Sequence, residues 1–174
     1  MEERMLRLRD HALGPCRYEA IPDPGLAMNP MEGTVLTVQS RRCPLCDREC
    51  YKQGPMKTIE AAKDRDGAEQ AANFIAKLER SRRRKDRDRI ADIAVRFNDF
   101  AVNGRLRAPR EINDLEDGIK EIKAGDVRLP FYEEQAGGHR GLVRLTHGFS
   151  KKQQKCPLKE IRKAIAIRRE DQQQ

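Results

Sequence analysis

An apolar stripe at helical spacing runs through residues 90 to 101, and it does most to limit the folds open to this chain. Its members recur at i, i+3, i+4, i+7 and i+11, and they are Ile90, Ile93, Ala94, Phe97 and Ala101. This spacing predicts an amphipathic helix, which Asn103 and Gly104 would end. A second stripe through residues 68 to 78 predicts another helix just before it. We expect the two helices to form a hairpin with one apolar side.

After the hairpin, apolar and polar residues alternate as they do in strands. Apolar side chains at 127, 129 and 131 interleave with Arg128, Pro130 and Tyr132. Turns at 124 to 126 and at 136 to 138 indicate three strands, and residues 56 to 63 indicate a short first strand. Pro157 is expected to begin a last helix. The pattern therefore predicts an α+β fold, and Pro130, which lacks an N–H, predicts an edge, a bulge or a break in its strand.

The net charge of +8 is concentrated near the C-terminal end of the chain. Residues 1 to 55 carry eight Lys or Arg against eight Asp or Glu, so this segment is neutral. Residues 147 to 169 carry eight Lys or Arg and one carboxylate, that of Glu160. A surface that needed only solubility would scatter its charges, whereas a local excess is typical of proteins that bind polyanions. The charge pattern therefore favours a nucleic acid partner, and we expect RNA.

Composition excludes several classes of protein. A chain of 174 residues with 37% hydrophobic and 37% charged residues supports one modest core. It has no apolar run long enough for a membrane span, and its first residues lack the apolar centre of a signal peptide. We therefore expect a cytoplasmic protein without a membrane partner. In that reducing compartment its five cysteines would be thiols or metal ligands rather than a disulfide framework.

The composition also changes near residue 55. Residues 22 to 33 are rich in turn formers, and residues 53 to 55 are typical of a linker. We therefore expect an N-terminal extension at 1 to 55 and a separate domain at 56 to 174.

The extension contains a possible zinc site. Cys43 and Cys46 have the Cys-x-x-Cys spacing of zinc knuckles, in which backbone amides turn toward two thiolates. Cys50 would supply a third ligand, and Cys16 or His11 a fourth. A structural zinc would then serve binding rather than chemistry. The alternative is an extension with unbound thiols, because a second Cys-x-x-Cys pair is missing.

Seven cations crowd the connection between the two predicted helices, in the segment ERSRRRKDRDR at residues 79 to 89. One interpretation is a solvated helix end, since most charge runs face water. The other is an accessory contact to phosphate.

Two stretches of the sequence carry a family resemblance. The first is DGIKEIKAGDVRLPFY at 117 to 132, and the second is RLTHGFSKKQQKCPLKEIRKAIAIRRED at 144 to 171. The second contains the pattern HGFxKKxQKxP before a last helix, which is the more specific of the two. Together they resemble the RelE/HigB-like toxins of type II toxin-antitoxin systems, in particular the phage-derived branch. The resemblance covers residues 56 to about 171.

The resemblance implies a helical hairpin packed on a small curved antiparallel sheet with a C-terminal helix. It also implies an activity: such toxins generally cleave mRNA, often on the ribosome, and a cognate antitoxin holds them inactive. Arg128 matches the arginine of the family's second strand, and Lys123 stands where the family often has arginine. The last motif is matched by His147, Gly148, Phe149, Lys151, Lys152, Lys155 and Pro157.

Cutting RNA without a metal needs a base for the 2′-hydroxyl proton, cations for the phosphorane and an acid for the leaving oxygen. We therefore expect Arg128 to stabilise the transition state, Lys123 to bind phosphate and His147 to be the acid or base. The residues expected to bind RNA are Lys151, Lys152, Lys155 and Tyr132. The more ordinary interpretations make His147 and Tyr132 structural, and pair Arg128 with Glu121.

Two other functions stay open. One is a non-enzymatic binder, since relatives of this fold inhibit DNA gyrase by contact and Lys123 replaces a bidentate fork with a point charge. The other is a metal-dependent nuclease, because Asp114 with Glu121 and Lys123 mimics a carboxylate-lysine site. The leading expectation requires no cofactor for catalysis.

Overall fold

The computed structural model describes residues 38–44, 46–134, 141–151 and 156–174. Its helices are α1 (Gln70–Glu79), α2 (Arg84–Asn103) and α3 (Leu158–Asp171). Its strands are β1 (Arg41–Arg42), β2 (Glu49–Gln53), β3 (Lys57–Ala61), β4 (Ile112–Asp114), β5 (Lys120–Ala124), β6 (Val127–Glu134), β7 (Gly141–Leu145) and β8 (Phe149–Ser150). The α+β class, the helical hairpin, the short strand near residue 56 and the last helix are confirmed. Gly104, in the left-handed region with a φ of 70°, ends α2 as expected.

The described strands form one mixed sheet rather than an antiparallel one. Their order is β1-β2-β3-β7-β6-β5-β4, and β8 also pairs with β6. Every pairing is antiparallel except that of β3 with β7. These two strands are parallel because the chain leaves β3 through the helical hairpin and crosses back before β7. The prediction of an antiparallel sheet missed this pair, which joins residues far apart in sequence.

The two faces of the sheet are covered by different helices. The predicted alternation in β6 is confirmed: Val127, Leu129 and Phe131 are fully buried with the apolar sides of α1 and α2. The opposite face packs a smaller cluster that includes Tyr132 and, from α3, Ala164. The same face carries the polar residues of β5 and β6, so α3 decides which of them reach water.

The described part of the N-terminal segment belongs to the same sheet. β2 pairs with β3, and Tyr51 of β2 is buried with its ring centroid 5.4 Å from that of Phe97. A Cβ at Gly54 would lie 2.3 Å from the carbonyl oxygen of Ala101, so the turn after β2 presses against α2. The boundary expected at residue 55 is therefore a hairpin turn, and residues 38–53 are part of the fold. Charged residues and turn formers interrupt the apolar alternation in this segment, so the sequence did not predict β1 and β2.

A break in one ladder confirms the expectation from Pro130. β7 and β8 both pair with the same edge of β6, and the chain leaves that edge between them at residues 146 to 148. Thr146 donates its N–H (2.9 Å) and its Oγ1 hydroxyl (3.0 Å) to the Pro130 carbonyl. Because a residue's N–H and C=O point to the same neighbour in an antiparallel ladder, the missing N–H of Pro130 faces the break.

No helix in the described ranges has both the length and the apolar content that spanning a membrane requires.

The place of β2 in the sheet gives a stability prediction. A fragment of residues 56–174 should not unfold cooperatively, because it lacks Tyr51, whose loss from the core alone should cost about 3 kcal/mol or more. A fragment of residues 38–174 retains β1 and β2 and should unfold with a sharp transition. Urea denaturation followed by circular dichroism distinguishes the two fragments. A cooperative transition in 56–174 at the midpoint of the longer fragment would show that β2 is dispensable.

Candidate functional site

The β5–β6 hairpin positions the two cations expected to contact phosphate. Gly125, at a φ of 57°, allows the tight turn, and the register then places Lys123 directly opposite Arg128. Ile122 and Leu129 form the neighbouring pair and point into the core. Because side chains alternate along a strand, both cations lie on the sheet face that α3 covers only in part.

A buried carboxylate lies between the two cations. Glu121 is 1% exposed, and its Oε1 is 3.9 Å from both Lys123 Nζ and Arg128 Nε. These distances allow electrostatic attraction but are too long for hydrogen bonds. Glu121 Oε2 and Arg128 Nε are buried and have no hydrogen-bond partner among the described residues. The pairing of Arg128 with Glu121, offered as the ordinary interpretation, is therefore present but loose.

Backbone carbonyls hold both cations in place. Arg128 donates from Nη1 to the carbonyl oxygens of Gly125 and Val127, each at 2.8 Å. Lys123 Nζ donates to the Pro109 carbonyl at 2.7 Å. Their side chains are only 15% and 18% exposed. The pair is thus fixed at the surface with one face toward water, which suits a positioned phosphate ligand better than a freely moving charge.

Lys151 and Cys156 lie beside this pair. The Lys151 N–H donates to the Asp126 carbonyl at 2.8 Å, which brings Lys151 to the hairpin turn. Burial, and then the nearby Glu121, raise the pKa of the Cys156 thiol to about 11. The Cys156 thiol is therefore mostly protonated near neutral pH. Lys152 and Lys155 lie outside the described residues.

His147 is placed as a structural residue. It is 2% exposed; its Nδ1 lies 3.1 Å from Thr146 Oγ1, and its Nε2 lies 3.1 Å from Glu160 Oε2. Burial, with a smaller contribution from Lys163, lowers its pKa to about 4, although Glu160 opposes the shift. The ring is therefore neutral near pH 7 and its nitrogens are occupied. An acid or base role would require it to leave this pocket.

Gly148 explains why the histidine turns inward. A Cβ at Gly148 would lie 2.2 Å from the ring of Phe74 in α1. A close approach, rather than an unusual backbone angle, requires glycine here. The break between β7 and β8 is thus pressed against α1, and His147 is stacked on Phe149 with ring centroids 5.8 Å apart.

Tyr132, expected to contact RNA, is buried instead. It is 2% exposed, and its hydroxyl donates to the Asp171 carboxylate at the end of α3. Burial, and then this hydrogen bond, raise the pKa of the phenol well above its usual range. Alternation placed Tyr132 on the correct face, but α3 covers that face at this point.

Two alternative metal sites can be compared with the geometry. Asp114 pairs with Lys120, and Glu121 pairs with Asn113, so Asp114 and Glu121 point to opposite faces and do not form a carboxylate-lysine site.

In the N-terminal part, Cys43 donates its N–H to the Arg48 carbonyl (2.8 Å), and its own carbonyl accepts the Asp47 N–H (2.9 Å) in a tight turn.

Within the described ranges, no group of three His, Cys, Asp or Glu side chains could hold a metal ion. Burial raises the pKa of the Cys50 thiol to about 12. A zinc site at Cys43, Cys46 and Cys50 stays a prediction. Cys16 and His11, the other expected ligands, lie outside the described residues.

A cleft on the opposite side of the fold does not match the expected ligand. It holds about 200 Å³ between β2 and α1. Its lining includes the carboxylates of Glu49 and Glu79 and, among the described residues, no cation. Such a surface repels phosphate, so the cationic hairpin is the better candidate for binding RNA.

Sequence reasoning missed one residue that organises the site, Asp126. Its carboxylate accepts from Arg89 Nε (2.8 Å) and Nη2 (2.6 Å), and Lys85 Nζ lies 3.0 Å away. These partners are why the pKa of Asp126 is far below its usual range. A turn aspartate usually caps its own backbone, so nothing in the local sequence indicated a bond to α2.

Comparison with known proteins adds no family to this description. The chain matches no known family, and no curated protein matches it.

The buried His147 gives a pH prediction. Its folded pKa of about 4 is below its ordinary 6.5, so its stabilising contribution is present above pH 6.5 and is lost as the pH falls from there toward 4. Lowering the pH from about 7.5 to about 5 should reduce the free energy of unfolding by about 2 kcal/mol more in the wild type than in His147→Gln. Urea titrations at each pH measure the difference, and parallel pH dependences would contradict it.

Proposed function

We propose that this protein is a toxin that binds mRNA and cleaves it without a metal, in association with the ribosome, and so inhibits translation. The observation that carries the proposal is the cross-strand pair of Lys123 and Arg128, with Lys151 bonded to the turn between them. The pair also lies in the segment that resembles RelE/HigB-like toxins. A cognate antitoxin and a cytoplasmic location belong to the same proposal.

In the proposed reaction the 2′-oxygen attacks the neighbouring phosphorus as the bond from phosphorus to the 5′-oxygen breaks. Arg128 and Lys123 stabilise the negative charge that builds up on the phosphoryl oxygens. Arg128 Nη2, which has no hydrogen bond to a described residue, is the donor available for this purpose.

The proposal needs a new assignment for the proton acceptor. His147 is held in a pocket by Thr146 and Glu160. Glu121 lies beside both cations through its Oε1, and its Oε2 has no hydrogen-bond partner in the described ranges. We assign the 2′-hydroxyl proton to Glu121, which requires the RNA to displace the side chains that cover it. The leaving 5′-oxygen takes its proton from water.

A second candidate function is RNA binding without cleavage. The observation that favours it is the burial of His147 and Tyr132, which removes two groups expected at the reacting phosphate. Lys123 and Arg128 would then hold the RNA backbone, and inhibition would come from occupancy alone. The two functions share the binding surface and differ in whether a bond is broken.

One assay separates these functions. Labelled RNA is incubated with the protein in excess chelator, and the products are tested for 2′,3′-cyclic phosphate ends. Cyclic phosphate ends support metal-independent cleavage, and intact RNA in a stable complex supports binding alone. RNA that is neither cut nor bound here, and that also stays intact when ribosomes translate it in the presence of the protein, contradicts both functions.

Arg128 is the decisive position for catalysis. Arg128→Ala should lower the cleavage rate by a factor of about 100 or more, the usual cost of removing one transition-state donor. Arg128→Lys should recover part of the rate, because it restores the positive charge but not the bidentate geometry of the guanidinium. Gel assays at equal protein concentration measure the rates, and thermal unfolding checks that both variants are folded.

The matched control is Arg105→Ala. Arg105 is exposed beyond the far end of α2 and is expected to leave the rate unchanged. Wild-type rates in folded Arg128→Ala would remove Arg128 from the site.

A further inference from the structure

Four exposed arginines form a surface that neither the core nor the candidate site explains. We call it the arginine platform, and it consists of Arg82, Arg83, Arg84 and Arg87. It lies between α1 and α2 and on the first turns of α2. The apolar side of α2 begins further along, at Ile90. The platform therefore contributes no side chain to the core.

Neighbouring carboxylates do not neutralise the platform. Asp86 accepts from Ser81 Oγ and from Arg89 Nη1, both at 2.6 Å, so only part of its charge acts on the platform. Asp126 is bound by Arg89 and Lys85. Within the described ranges, no carboxylate lies within ion-pair distance of the four platform side chains.

The position of these cations opposes helix formation. Arg83 is the N-cap of α2 and makes no side-chain capping bond, and Arg84 is the first helical residue. A helix N-terminus carries partial positive charge, so it favours acidic residues and is destabilised by nearby cations. Adjacent arginines also repel one another. Local rules of this kind are broken mainly where function requires it, so the platform points to an anionic partner.

The platform lies at the end of α2 that is bonded to the candidate site. Asp126 connects them, because its carboxylate binds Arg89 and Lys85 of α2 while its carbonyl accepts the Lys151 N–H. The same residue lies in the turn that joins Lys123 to Arg128. Side chains advance by about 100° per residue around a helix, so Arg87 lies on the side of α2 opposite Lys85 and Arg89. A strand of RNA bound at the hairpin would therefore have to cross the end of α2 to reach the platform.

We propose that the arginine platform holds the phosphate backbone of single-stranded RNA on one side of the candidate site. It would bind without regard to sequence, because guanidinium groups at the surface contact phosphates and not bases. The inference rests on the proposed function for its ligand, RNA, and adds a second region of contact that only a longer strand can reach.

The test uses RNA that cannot be cut, so that binding is measured apart from cleavage. Full-length wild-type protein and the variant R82Q/R83Q/R84Q/R87Q are titrated with fluorescent 2′-O-methyl oligonucleotides of about 4 and about 16 nucleotides across a range of salt concentrations. The control variant removes four exposed cations elsewhere and is K52Q/R65Q/R105Q/R110Q. Anisotropy gives the affinities, and thermal unfolding gives the stability of each protein.

The platform variant should bind the longer oligonucleotide at least about tenfold more weakly, and the slope of log affinity against log salt should become shallower by about 3. Its affinity for the short oligonucleotide should hardly change. Its unfolding temperature should stay equal or rise, because cations leave a helix N-terminus. The control variant should keep most of the affinity for the longer strand.

Three results would overturn the inference: equal affinity of wild type and platform variant for the longer RNA, an equal loss in the control variant, or a marked fall in unfolding temperature. If the wild type and the platform variant bind the longer RNA equally, an acidic protein is the next partner to test for the platform. Failure of the proposed function is read separately, from uncut RNA in the chelator assay. A wild type that cuts RNA while the platform variant still binds it fully would keep the proposed function and remove the platform.

Discussion

The buried carboxylate of Asp171 fixes the second layer of this fold. It accepts hydrogen bonds from the guanidinium of Arg48, the hydroxyl of Tyr132 and the N–H of Lys63, and so joins the end of α3 to β6 and to both ends of the β2–β3 hairpin. A buried charge is costly unless several donors compensate it, and removal of one partner of such a pair is typically strongly destabilising. These bonds hold α3 against a sheet face that carries few apolar side chains.

The position of α3 then decides what the polar face can do. Beside Asp171 a second buried pair, Glu60 with Arg144 at 2.7 Å, fills the middle of the face, and burial raises the pKa of Glu60 despite Arg144. Tyr132 and His147 are covered with it, while the hairpin end with Lys123 and Arg128 lies beyond the helix. The candidate site is therefore the part of a polar face that a helix leaves open.

The charges around that site follow one pattern, in which the acids are paired with cations and the platform arginines at the start of α2 have no ion pair within the described ranges. Acids near the hairpin are either buried between cations, as Glu121 is, or bound by α2, as Asp126 is. The arginines that follow have no such partners and lie where a helix disfavours them. Stability is thus given up at the start of α2, and under the proposed function a phosphate backbone would recover it.

The sequence by itself determined the elements whose periodicity is strong and local. The stripe from Ile90 to Ala101, the alternation in β6 and the missing N–H of Pro130 predicted α2, the buried face and the ladder break, because each depends on neighbours within a few positions. Tertiary structure decided the rest: the parallel pairing of β3 with β7, the inclusion of β2, the burial of Tyr132 and His147, and the bond from Asp126 to α2. Each of these depends on residues distant in sequence, and no local pattern records which side chains a remote helix will cover or which donor a turn carboxylate will meet.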